Sequence, residues 1–129
     1  MSTLVQSISA DINYDAPTVV LPNSVVGSNS IIVMTTTKEY GASSSNLVLY
    51  DNGVAMSQVV AIGGSANNIV TQLFYAHAVS AGTHSITIDG DNAGGGLGYI
   101  TVMEWNGLQN IAHDKLSVVN DGTGTVISV

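Results

Sequence analysis

The chain has 129 residues, a length that suits one domain burying roughly two-thirds of its unfolded surface. It contains no cysteine, which excludes disulfides, cysteine-ligated zinc and a thiol nucleophile. Only 9% of its residues are charged, nine Asp or Glu against Lys38 and Lys115 with no arginine, so it lacks the cations that hold phosphate backbones or anionic membrane surfaces.

Such sparse charge leaves Ser, Thr, Asn, Gln and Gly to cover the surface. Repulsion between copies is then weak, and part of the surface is expected to be covered by another subunit. The opening Met-Ser-Thr-Leu-Val-Gln-Ser has no basic stretch ahead of an apolar run. No signal peptide is therefore expected, and synthesis is placed in a host cytoplasm. No window approaches the run of about 18 apolar residues that spans a bilayer.

In chain order, Leu4 to Ile12 and Thr18 to Leu21 read as the first strands, with Asp15-Ala16-Pro17 as the break between them. Ile31 to Thr37 follows. Asn46 to Tyr50 leads into Asp51-Asn52-Gly53, where Asn-Gly supplies the positive φ angles of a primed hairpin turn. Val54 to Ile62 is the return strand, ended by Gly63-Gly64. Asn68 to Val79 is the longest run and is expected to hold a bulge. Thr83 to Asp89 alternates, Ile86 and Ile88 against Ser85 and Thr87. Tyr99 to Trp105 follows a glycine-rich loop and is closed by Asn106-Gly107. Leu116 to Val119 and Thr125 to Val129 complete the set. No segment keeps apolar residues at helical spacing. The expectation is one all-β domain over 1–129, an antiparallel, jelly-roll-like β-sandwich of about nine or ten short strands.

Candidate chemistry is thin. The loop from Asp89 to Gly98 opens with Asp89, Asp91 and Asn92, hard oxygen ligands of the kind Ca²⁺ takes. Ala93 stands where a third ligand belongs and no Glu closes the loop, so tightly folded glycines are the preferred reading and no cofactor is expected, with Ca²⁺ the one left open. His77, His84 and His113 are too scattered for a zinc site. His84 is assigned to the polar phase of its strand and to the surface, and His77 to a hydrogen-bonded, partly buried position. Gly-x-Ser-x-Gly is absent, since Gly63-Gly64-Ser65-Ala66-Asn67 fails at its last position. Paired carboxylates cannot be placed across a sugar, and no arginine clamp exists. An enzyme is not expected.

Two spots suit a sugar ring or a protein partner: Trp105 with Asn106, and Tyr40 beside Ser43-Ser44-Ser45. Against this, Trp105 is preferred as a core residue at the end of its strand. Glu104 is in phase with Ile100 and Val102, so it is expected to point inward and accept backbone N–H groups of a neighbouring loop as a structural pin.

The stretch Phe74-Tyr75-Ala76, then Val79 to Ile88, a glycine loop, and Tyr99 to Leu108 with its Glu104-Trp105-Asn106-Gly107-Leu108 ending, resembles a β-sandwich module. That module recurs in bacterial surface proteins and phage virion proteins. Val5-Gln6-Ser7 and Ile31-Ile32-Val33 sit where it has its first strands, so the likeness covers most of 4–110. The segment around Gly82-Thr83-His84 alone also resembles immunoglobulin-like repeats, which makes that sandwich the runner-up. The resemblance implies a capsid decoration (cement) protein: a homotrimer on a bacteriophage virion surface, bridging major capsid protein subunits without chemistry or nucleic-acid contact. The alternative expectation is a lectin or adhesin module binding glycans.

Overall fold

The computed structural model describes residues 1–12, 18–38, 47–64, 69–89, 97–108, 117–120 and 125–128, with the backbone alone described at 38, 60–64, 89, 97 and in the last two segments. The strands are β1 (Thr3–Ile12), β2 (Thr18–Val20), β3 (Ser30–Lys38), β4 (Val48–Asp51), β5 (Val54–Ala55), β6 (Ser57–Gly64), β7 (Ile69–Ala76), β8 (Ser85–Asp89), β9 (Leu97–Asn106), β10 (Ser117–Asn120) and β11 (Thr125–Ser128). Among the described residues there is no helix.

Nine strands build two antiparallel sheets, β1-β9-β3-β7-β6 and β2-β8-β4-β5, while β10 and β11 pair with each other as a hairpin. The pairs nest: β1 with β9, β2 with β8, β3 with β7, β4 with β5. Folding one long hairpin back over itself produces that order, which is the jelly roll. The immunoglobulin-like alternative is set aside by the same pairings. That fold keeps its first two strands side by side, whereas β1 and β2 here belong to different sheets.

Period-two alternation decides which side chains are buried. On the five-stranded sheet the inward set includes Ile31 and Val33 of β3, Phe74 of β7, and Ile100 and Val102 of β9, all buried. Facing them from the four-stranded sheet are Val19, Leu49, Ile86 and Ile88. Each such side chain removed from water contributes roughly 1.5–3 kcal/mol.

Three local devices shape the frame. Asn52 and Gly53 have φ of 47° and 84°, the primed turn expected between β4 and β5. The turn is anchored on the entry to β8, since Asn52 Oδ1 accepts from the Ser85 N–H at 3.0 Å and Asn52 Nδ2 donates to Thr83 O at 2.9 Å. The return run from Val54 is not one strand but two, divided at Met56. Met56 is buried and its N–H donates to Leu49 O at 2.8 Å, so β5 stays with β4 while β6 crosses to pair with β7. That crossing joins the two sheets along one edge. The bulge expected in β7 lies instead in its partner β6, between Gln58 and Val60, and a second lies in β1 between Leu4 and Gln6.

Gly98 shows how closely β9 is packed between its neighbours. It pairs with Ile12 on one side and Thr37 on the other. A Cβ there would overlap the Thr36 carbonyl oxygen and sit 2.8 Å from Thr37 Cα, both backbone atoms that cannot swing away. Gly98→Ala is expected to cost about 3 kcal/mol. The measurement is urea unfolding, where the midpoint should fall at unchanged slope. An unmoved midpoint would mean that β9 and β3 separate there without penalty.

Candidate functional site

The polar interior is concentrated in two clusters, one at the end of β9 and one at the entry to β8. In β9 the inward positions run Ile100, Val102, Glu104, and Glu104 is 1% exposed. A carboxylate taken out of water must be met by donors. Asn29 Nδ2 donates to Glu104 Oε1 and Gln6 Nε2 to Oε2, both at 2.5 Å. Gln6 is itself fixed by the backbone of residue 23, donating to Asn23 O at 2.9 Å and accepting from the Asn23 N–H at 3.0 Å. Asn106 Nδ2 donates to Asn29 Oδ1 at 2.9 Å.

The donors differ from the backbone N–H groups expected from sequence. The bulge in β1 is the reason: it sets Gln6 directly across from Glu104, so an amide already faces the carboxylate. The result ties β1, β9, the connection from β2 to β3 and the start of β3 around one anion. Hydrogen bonds to charged groups contribute roughly 1.5–3 kcal/mol each.

The second cluster corrects the sequence reading of His84. Its side chain is 3% exposed, not at the surface. Nδ1 lies 2.8 Å from both carboxylate oxygens of Asp51, and Nε2 lies 2.8 Å from Ser80 O. The missed signal is the strand period itself. His84 shares the phase of Ile86 and Ile88, and Asp51 shares that of Leu47 and Leu49. Both ring nitrogens face acceptors, a carboxylate on one side and a backbone carbonyl on the other. The ring thereby links β4 to the chain before β8.

This pair borders a cleft of about 260 Å³, further lined by Val54, Met56, Ala76 and His77. His77 Nδ1 lies 3.0 Å from Ser30 Oγ, and its ring stacks on Tyr75 with centroids 5.9 Å apart. A serine beside a histidine resembles a nucleophile and its base. Here Ser30 is 0% exposed, and the nearby Asp51 carboxylate is held by His84. Among the described residues no group of three or more metal-ligating side chains gathers.

The remaining expected site residues scatter. Trp105 is only half-buried and stays outside the core cluster, because its phase is that of Tyr99, Thr101 and Met103 on the outer face of the five-stranded sheet. Its indole N–H is covered and has no partner among the described residues. Asn106 is exposed, but its amide is engaged with Asn29. Asp89 ends β8, with its backbone alone described. Tyr40, Asp91, Asn92 and His113 lie outside the described residues. Elsewhere on the inner face, Thr35 and Gln72 stand opposite each other, and neither Thr35 Oγ1 nor the Gln72 amide has a partner among the described residues.

No known protein family, no curated protein and no solved structure matches this chain.

The amide arrangement around Glu104 separates two substitutions. Glu104→Ala removes the acceptor of the buried Asn29 amide and one of the two acceptors of Gln6, and is expected to cost about 3 kcal/mol. Glu104→Gln should cost about 1 kcal/mol. Gln6 is locked, so the new carbonyl faces it. Asn29 then turns over to accept, and exposed Asn106 turns with it. Thermal melts of both variants check this, and equal losses would contradict it.

Proposed function

We propose that this chain is a non-enzymatic structural protein of a virion surface, a decoration or cement protein that bridges subunits of a bacteriophage capsid. The observation that carries the reading is the scarcity of charge in the chain, 9% of its residues. Of the charged side chains, three are described: Asp11 is exposed, while Asp51 and Glu104 are buried in the clusters above. Broad sheet faces of Ser, Thr, Val and Met suit contact between subunits, where charged residues are depleted at the centre. The likeness of 74–108 to a module of phage virion proteins points the same way. The polar clusters are closed on themselves and serve to hold the sandwich shape.

Tyr99 favours a second reading. Its ring is 65% exposed on a sheet face beside threonine hydroxyls, which is how a glycan-binding module presents an aromatic platform.

Density-gradient banding of lysates in which the chain is made separates the two. Under the first reading the chain bands with capsids at many copies per particle and is released as intact folded protein by mild denaturant. A chain left at the top of the gradient, together with glycan-array binding lost in Tyr99→Ala, would overturn the first reading in favour of the second.

A further inference from the structure

We infer that the outer face of the five-stranded sheet is a self-association surface, on which a second copy of this chain packs about a two-fold axis. The inference deepens the reading of the chain as an assembling structural protein and names the surface that its copies share.

The face is apolar at its centre. Register places Met103, Ile32 and Tyr75 in one row across β9, β3 and β7, and Met34 beside Leu73 in the next. Met34 is 42% exposed and Tyr99, one row further, 65%. Interior-sized side chains held out of the core in adjacent rows form a patch rather than scattered exceptions.

Two pairs of hydroxyls on the same face bond each other. Ser9 Oγ and Thr101 Oγ1 are 2.9 Å apart across β1 and β9, and Thr36 Oγ1 and Thr71 Oγ1 are 3.2 Å apart across β3 and β7. Hydroxyls that bond each other in the plane of the sheet lose little when water leaves, so drying this surface is cheap. Asp11, at the β1 edge, is the one charged side chain among those whose exposure is described there.

Size picks this face over the opposite one. Its strands run eight to ten residues across five strands. With about 4.8 Å between strands and about 3.3 Å per residue, the face covers on the order of 600–700 Å². A specific interface needs about 600–1,000 Å² from each partner. The four-stranded sheet, with strands of two to five residues, offers well under half of that.

The scarcity of charge among the described side chains of this face selects the partner. A surface without cations or anions at its centre has no electrostatic complement to seek, and a flat face of Met, Leu, Ile and Tyr complements another copy of itself. One self-complementary face is used up by a single partner, so assembly through it closes at two copies. The pair proposed differs from the three-fold assembly expected from sequence. The chain carries a net charge of −7, so the two copies repel through their remaining surface and added salt tightens the pair.

The test is light scattering and sedimentation equilibrium on the intact chain. The wild type is expected at twice the chain mass, with a pair that strengthens between low and high salt. Met34→Lys places an unpaired charge at the centre of the contact and should weaken it about 100-fold or more. Val54→Lys, on the other sheet at a position 71% exposed, should leave it intact. Circular dichroism and melting temperature check that both variants fold. A monomeric or trimeric wild type, a pair untouched by Met34→Lys, or one equally weakened by Val54→Lys would overturn the inference. A dimer that fails to band with capsids would instead defeat the decoration reading and leave this interface standing.

Discussion

The structure depends on β9 being hydrogen-bonded along both sides. β1 and β3 flank it over nearly its whole length, from Gly98 against Ile12 and Thr37 to Trp105 against Leu4 and Ser30. Those partners come from the start of the chain and lie tens of residues away in sequence, so nothing local holds β9 in place. Once it is in place, one strand supplies three things at once. Gly98 permits close approach, Ile100, Val102 and Glu104 face the interior, and Tyr99, Thr101 and Met103 face outward. The core, the carboxylate cluster and the proposed contact face are three aspects of a single register.

The two buried acids make opposite use of their surroundings. Glu104 is met by neutral amides whose positions are set by a bulge and by a backbone pair at residue 23. Asp51 is met by an imidazole that reaches on to a carbonyl. Each spans segments distant in sequence, and removing one partner leaves the other stranded in low dielectric. Their effect is to fix how loops meet strands, which leaves the broad faces available for packing against other molecules.

Much of the sandwich was legible because alternation and turn residues are local signals. Asp51-Asn52-Gly53 marked its hairpin, and the strand limits read from β-branched runs fall within a few residues of those observed. The inward direction of Glu104 followed from the same period. What escaped was set by partners distant in sequence. The division at Met56 follows from a change of sheet, which no local pattern encodes. The bulge opposite β7 rather than in it follows from the partner's length. His84 was misread although its phase matched Ile86 and Ile88, because histidine's polarity was weighed above its position. Trp105 was expected inside on account of its size, whereas its phase put it outside. The identity of the amides around Glu104 required the register of β1, which a bulge shifts.

Amide hydrogen exchange on β9 tests this account most directly. If β9 is held on both sides, the N–H groups from Ile100 to Glu104 open only with global unfolding and exchange more slowly than those of the edge strands β2 and β6. Exchange in β9 as fast as at those edges would show that the nested pairing does not hold the molecule together, and the placement of Glu104 and of the outer face would fall with it.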